Sequence, residues 1–297
     1  MIENFYLNKV KILSKTLNLF YKNLPRNLEI SNLKIGCELE FYIFNQDKSK
    51  ILDNKFILDF ANLLSAKIEQ GQGQIEYIFP FTSDIFSLAT DIFNFKNQVY
   101  QLANKCNIIA SFEGMPNVDD CGSAMQFNIS LHDKDGINLF SNNSSLINFC
   151  ANGLLDLTNS MLLILSPNFD DYLRHNLVIN KNLFNKSKYT SPINLSLGND
   201  NRTCAIRLAN SSAKPHDKRL EYRVASANCD EFLALSAIIF AIEYGLIKQQ
   251  NNYLIIYGNA FDDCYDLEKI IDDFNESQQF FAKENNLVRK RFLDLSS

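Results

Sequence analysis

Apolar residues recur along the first stretch of the chain at helical spacing. Tyr6, Val10, Leu13, Leu17, Phe20 and Leu24 lie three or four positions apart, so residues 2–24 are predicted to form an amphipathic helix that Pro25 ends. Such a stripe suits packing on its own domain, and three heptads of it also suit a seam between two copies. The period then drops to two. Between 34 and 44, Ile35, Cys37, Leu39, Phe41 and Ile43 take one side while Glu38 and Glu40 take the other. That predicts a half-buried strand presenting two carboxylates side by side. A helix is expected over 53–66 and a strand region over 68–79, which contains Gly71 and Gly73. Glu69 and Glu76 are an odd number of residues apart, so a straight strand would send them to opposite faces. The glycines permit a bend or bulge that brings both inward.

A long helix is expected over 83–106, then strands near 108–112 and 124–131. In the second of these, Met125, Phe127, Ile129 and Leu131 alternate with Gln126, Asn128 and Ser130, and the polar row is expected on the side of the glutamates. Residues 144–165 predict a very apolar helix stopped by Ser166-Pro167. The Asn- and Lys-rich stretch 175–190 has weak periodicity and reads as a mobile loop. Strands near 192–197, 203–208 and 219–225 follow, and in the last Glu221 and Arg223 share a face opposite Leu220, Tyr222 and Val224. Residues 230–248 predict a buried helix. The tail, 262–295, predicts an amphipathic helix with Arg289, Lys290 and Arg291 near its end, where cations suit the helix dipole. Together these elements predict a single α+β domain in which antiparallel strands carry a polar inner face and helices cover the outer face.

Composition narrows the reading. A chain of 297 residues that is 46 % hydrophobic can bury a sizeable core. Its net charge of −5, without a long basic block, disfavours a nucleic-acid partner. The start lacks the basic and apolar regions of a signal peptide, and no uncharged run reaches the length of a membrane span. The seven cysteines include no C-x-x-C pair and sit in apolar stretches, which predicts buried free thiols in a reducing compartment. The chain is expected to be soluble and cytoplasmic. The three histidines, His132, His175 and His216, are expected at the surface or in loops.

The candidate chemistry lies in carboxylates and arginines: Glu38, Glu40, Glu69, Glu76 and Glu221 on one side, Arg174, Arg202, Arg207, Arg219 and Arg223 on the other. Collected carboxylates bind divalent cations, and arginines beside them bind anionic substrates. A site with both suits phosphoryl chemistry with Mg²⁺ or Mn²⁺. Their order resembles the catalytic domain of the glutamine synthetase family. The matching segments are Gly36-Cys-Glu38-Leu-Glu40-Phe, Glu69-Gln-Gly-Gln-Gly73-Gln74-Ile-Glu76, and Gly122-Ser-Ala-Met-Gln126-Phe-Asn-Ile-Ser130-Leu131. Asp171-Tyr-Leu-Arg174, Asn201-Arg202-Thr-Cys-Ala-Ile-Arg207 and Arg219-Leu-Glu221-Tyr-Arg223 with Asn228 follow in the same order, so the resemblance spans about residues 34–247.

The resemblance implies a glutamine synthetase/guanido kinase-like fold over 34–297, preceded by a helix and connector over 1–33. It implies ATP-dependent amide formation: glutamate is activated as γ-glutamyl phosphate, then captured by ammonia or an amine. Two anions must approach, so cations must neutralise both. By resemblance Glu40, Glu69 and Glu76 hold a first metal, and Glu38, Glu221 and Gln126 a second. Arg174 takes the glutamate α-carboxylate and Gly122 lies near the amino group. Arg202 and Arg207 contact phosphates, Arg223 serves both glutamate and the transferring phosphoryl group, and Ser130, Arg207 and Arg219 line the nucleotide site. Two Mg²⁺ or Mn²⁺ ions, ATP and small-molecule substrates are the implied ligands, and a homo-oligomer is a possible assembly.

Departures from the family pattern shape the expectation. Gln126 and Asn128 stand where the family has histidines, and Cys121 where it has asparagine. An amide oxygen is a weaker ligand than imidazole for Mn²⁺. The stretch His175–Pro192 contains no acidic residue to serve an ammonium pocket. Only about 33 residues precede the first catalytic strand, so the family's small N-terminal β-grasp domain is expected to be absent. Both sources of negative charge for ammonium are then missing, which favours a larger amine as acceptor. The alternative expectation is a catalytically impaired binding or regulatory protein of the same fold.

Overall fold

The computed structural model of the protein describes residues 3–209 and 215–296. A long strand, β1 (Asn32–Phe44), is the spine of a curved, unclosed sheet. On one edge it pairs antiparallel with β3 (Gln74–Thr82), which carries β2 (Lys67–Ile68) outside it. Its other edge takes β5 (Met125–His132) and, further along, β4 (Ile109–Ser111). Beyond β5 lie β8 (Arg219–Tyr222), β7 (Ile206–Ala209) and β6 (Leu197–Asn199). Only β6 and β7 pair in parallel among the described strands. The alternation in β1 works as predicted: Leu33, Ile35, Cys37, Leu39, Phe41 and Ile43 enter the core, and Met125, Phe127, Ile129 and Leu131 of β5 join them.

Helices cover that apolar face. α5 (Ser144–Leu165) and α7 (Glu231–Lys248) are the central pair, and most residues of both are buried. The Asn143 and Asp230 side chains cap them by accepting from the second and third backbone N–H groups beyond each. The two helices cross at Gly153 and Gly245, where a β-carbon on either would strike the other's backbone. α2 (Lys9–Asn23) packs on α7 and on α9 (Leu287–Ser296), burying Ile12, Leu13, Thr16 and Phe20. The stripe therefore packs mainly on its own chain through Leu13 and Phe20, with Tyr6, Leu17 and Leu24 partly buried and Val10 exposed. It is interrupted at Asn8, which separates α2 from the short α1 (Glu3–Leu7); Ile2 lies outside the described residues. α3 (Asn54–Leu63) and α4 (Ile85–Lys105) lie within the spans expected for them.

Several expectations need correction. The stretch 175–190 is not simply a loop: it contains α6 (Leu177–Asn185), started by Asn176, whose side chain accepts from Val178 and Ile179 N–H. Asparagine is a strong N-cap, and a cap leaves no mark in hydrophobic periodicity. The tail is helical only in α8 (Phe274–Ala282) and α9, because Asx-type turns and extended chain occupy 259–273. His175 is 2 % exposed rather than superficial. Its ring bonds the Pro192 carbonyl at 2.8 Å, and burial pushes its pKa down to about 3, so it is neutral and Nδ1 carries the donated proton. His132 is half-buried and His216 exposed. All seven cysteines are free; Cys264 is exposed and Cys106 half-buried, against the expectation of burial throughout. The predicted strand over 192–197 gives way to the three-residue β6, and the last strand ends at Tyr222. No helix among the described residues is long and apolar enough to cross a membrane.

Candidate active site

The polar face of the sheet is built from cross-strand rows. Glu40 on β1 stands opposite Glu76 on β3, and Lys67 on β2 stands opposite Glu76. Glu38 stands opposite Gln126. Asn128 is opposite Glu221, which is opposite Arg207. Directly opposed residues share a face, so these side chains gather on one surface. Glu69 joins them through the β2–β3 turn. Its N–H bonds the Gln74 carbonyl at 2.9 Å, and Gly73 supplies the turn with φ +85°. The reversal is a hairpin rather than a bulge. Its register places residue 69 beside 74 and hence on the face of 76, which resolves the odd separation.

One cavity brings together Glu38, Glu40, Glu69, Glu76 and Gln126 with Gly122, Arg174, Arg202 and Arg223. Its volume, about 60 Å³, is room for a cation with a few small polar ligands. Ser130 and Arg219 line a second cavity of about 460 Å³, with Lys34, Phe81 and His132. That is the size of an ordinary ligand pocket. Arg207 and Glu221 line neither cavity and connect to the first through Arg223.

The carboxylates fall into two environments. Glu40 accepts from the Ala124 N–H and from the Gln126 amide, both at 2.8 Å. Burial nevertheless raises its pKa to about 7. Glu76 is raised to about 8, by burial and then by repulsion from Glu38, Glu40 and Glu69, although the Lys67 ammonium stands 2.8 Å away. Glu76 Oε1 accepts no well-aligned hydrogen bond, and Lys67 also approaches Glu69 at 3.3 Å. Glu221 is different. Burial would raise it, but Arg223 and Arg207, each at 2.6 Å on separate oxygens, hold it below the usual carboxylate value. Arg223 Nη1 also donates to the Gln126 oxygen at 2.8 Å. Asn128 donates to Glu38 at 3.0 Å and accepts from Arg219 at 2.7 Å.

Arg174 comes from the helical turn Phe169–His175 and is 1 % exposed. Its guanidinium donates to the carbonyls of Val224 at 2.7 Å and Arg223 at 3.2 Å, and to Ser226 Oγ at 3.2 Å. The Nε atoms of Arg174 and Arg223 are buried without a partner. Residues 189–191 roof the cavity: Tyr189 N–H bonds the Gln70 side chain, and its ring carries the Arg202 guanidinium at 4.7 Å.

Residues 61–277 match the family described as glutamine synthetase, catalytic domain. The chain belongs to the glutamine synthetase family. The match covers Glu69, Glu76 and every candidate arginine, while β1 with Glu38 and Glu40 lies before it. Among curated relatives, γ-glutamylputrescine synthetase PuuA of Escherichia coli is 31 % identical over 201 residues, covering 66 % of this chain and 40 % of that protein. Glutamine synthetase of Sulfolobus acidocaldarius is 31 % identical over 179 residues, 58 % of this chain and 35 % of that one. The chain thus spans about 40 % of the length of the relatives it matches first. A solved structure of GmaS with ADP has the same fold, with a TM-score of 0.78 at 18 % identity, covering 97 % of this chain and 72 % of that one.

The glutamine synthetase family generally uses ATP and divalent metals. Among the described residues no three His, Cys, Asp or Glu side chains stand close enough to hold one as arranged. The first set nevertheless fits in chemistry. Glu40 and Glu76 face each other buried and repelling, and Glu76 has a lone pair that only a mobile ammonium serves. The second set does not fit: both Glu221 oxygens and the Gln126 oxygen are held by guanidiniums. Sequence reasoning missed Lys67. Its signal was the K-x-E spacing to Glu69, obscured because the strand was expected to begin at 68. It also missed Asp120, whose buried carboxylate takes Lys50 at 2.7 Å and Lys188 at 2.6 Å, pinning the roof segment.

Proposed function

We propose that the chain is an ATP-dependent carboxylate–amine ligase that activates glutamate as γ-glutamyl phosphate and passes it to an amine larger than ammonia. The observation that carries this reading is the meeting, in one cavity, of Glu40, Glu69 and Glu76 with Arg174, Arg202 and Arg223. Glu40, Glu69 and Glu76 would hold a Mg²⁺ or Mn²⁺ ion, which supplies charge neutralisation between carboxylate and phosphate. Arg223 and Arg202 neutralise the transferring phosphoryl group. Arg174 and the backbone at Gly122 receive the glutamate α-carboxylate and amino group. Ser130 and Arg219 line the larger cavity, which takes the nucleotide, and Arg207 reaches the phosphates from beside Glu221.

The roof explains the acceptor. Residues 175–192 offer no carboxylate, and Arg202 has no carboxylate partner among the described residues. A bare ammonium ion therefore finds no negative pocket there, while a larger amine brings contacts of its own. One relative, by its name, makes γ-glutamylputrescine, which supports a larger acceptor within the family. The seven free cysteines support a reducing, cytoplasmic setting.

Phosphate release from ATP, measured with Mg²⁺ or Mn²⁺ and glutamate against ammonium and a panel of amines and amino acids, tests the proposal. Release that requires glutamate and one particular acceptor, with the amide identified by mass, is expected. A folded protein that binds nucleotide and releases no phosphate with any acceptor would leave the impaired, regulatory reading in its place.

A further inference from the structure

We infer that the chain's own residues hold one divalent cation and not two, the place of the second being taken by the guanidiniums of Arg207 and Arg223. The inference deepens the ligase reading and rests on its assignment of these carboxylates to a metal site. Around Glu221, every oxygen that a cation would need already bears a guanidinium donor, so an ion there would share its ligands with two fixed positive charges. One oxygen takes Arg223 and the other Arg207, both at 2.6 Å, and the Gln126 oxygen takes Arg223 at 2.8 Å. Glu38, the remaining member of that set, accepts from Asn128. The two guanidiniums carry the same charge as one divalent ion. They are held in place, since the side chains of Arg223 and Arg207 are 5 % and 19 % exposed. An arginine cannot lose its proton to make room.

The other corner has the opposite character. Among the described residues the one cation in ion-pair contact with these carboxylates is the Lys67 ammonium, at 2.8 Å from Glu76 and 3.3 Å from Glu69, on a side chain that is 53 % exposed. A lysine with half of its side chain in solvent can swing out when a divalent ion takes its place, because the buried Glu76 is then never left without a compensating charge. Glu76 Oε1, buried and without an aligned hydrogen bond, is then open to a metal. Lys67 is thus a placeholder that keeps the corner neutral until the ion arrives. Arg207 and Arg223 are a permanent substitute for an ion.

Titration calorimetry of Mn²⁺ into the full, nucleotide-free chain at pH 8, with Mn²⁺ electron paramagnetic resonance counting bound ions, tests this. One ion per chain is expected. Glu76→Gln should weaken it more than ~100-fold, beyond the roughly 10–100-fold cost of losing an outer contact to a ligand. Glu69→Gln, on the exposed hairpin, serves the same purpose if Glu76→Gln fails to fold. Glu221→Gln should leave one ion at unchanged affinity. Lys67→Met should tighten binding roughly 2–5-fold by removing the competitor. Two ions per wild-type chain, no saturable binding, or binding lost in Glu221→Gln and kept in Glu76→Gln would each overturn the inference. The readout does not depend on turnover. One bound ion without amide formation would defeat the ligase reading alone, and two ions with amide formation would defeat this inference alone.

Discussion

Glu76 and Glu221 are buried to nearly the same degree, at 4 % and 2 % exposure, on the same face of the same sheet. Their surroundings differ in kind. Glu76 faces three other carboxylates and one mobile ammonium, and its proton is held up to about pH 8. Glu221 faces two fixed guanidiniums, and its proton is lost early. Burial alone therefore says little about a carboxylate. What decides its state is whether compensating charge is built into the fold or must be supplied from outside. The first arrangement makes a rigid corner that presents positive charge to a substrate. The second makes a corner that waits for a ligand.

The largest expected effect comes from breaking the rigid corner. Arg223→Ala leaves Glu221 with one partner and frees the Gln126 oxygen. Removing one member of a buried pair costs about 3–5 kcal/mol, read as a lower denaturant midpoint. Under the ligase reading, turnover should also fall at least ~10²-fold, because a donor aimed at the transferring phosphate is lost. Full activity in this variant would remove Arg223 from the site.

The fold around these corners was largely legible in the chain. The two-residue alternation in β1 and β5 and the apolar runs that became α5 and α7 are strong signals, because each reflects a face that must be buried. The site was legible where strand parity applies, as for Glu38 with Glu40 and Glu221 with Arg223. It was obscure where a turn or a distant partner decides. Glu69 reaches Glu76 only through a hairpin register, and His175 is buried by a carbonyl seventeen positions away. The clamping of Glu221 depends on Arg207, on a strand whose pairing one sequence does not reveal.

A second, smaller effect separates the corners by pH. Between about pH 4.5 and 8 the folded, cation-free protein keeps protons on Glu40 and Glu76 that the unfolded chain has released. Its stability should therefore fall as pH rises through that window. Glu221 acts with the opposite sign: its lowered pKa adds stability above the ordinary carboxylate range that is lost as pH falls below it. Thermal melts from pH 5 to 8 read the sum, and Glu76→Gln should flatten the slope, stabilising the cation-free protein at pH 8 by on the order of 1–2 kcal/mol. A steeper slope in that variant would contradict the picture. Divalent cation binding should release protons below about pH 8, seen as a buffer-dependent heat of binding.

The smallest effect concerns the roof. Tyr189→Ala removes the ring beneath Arg202. An exposed cation–π contact contributes about 0.5–1 kcal/mol, so KM for the anionic substrate should rise about twofold to fivefold with kcat little changed. An unchanged KM would mean that Arg202 needs no platform.

Gln126 joins the two corners, and its amide has a direction. The guanidinium of Arg223 can only donate and ionised Glu40 can only accept, so the oxygen must face one and the nitrogen the other. The joint passes an orientation from the fixed charges to the waiting ones without itself ever gaining or losing a proton. An imidazole at this position would titrate near neutrality and would rewrite both contacts when it did. With an amide there, the linkage between the corners stays deaf to pH, and only its two ends respond.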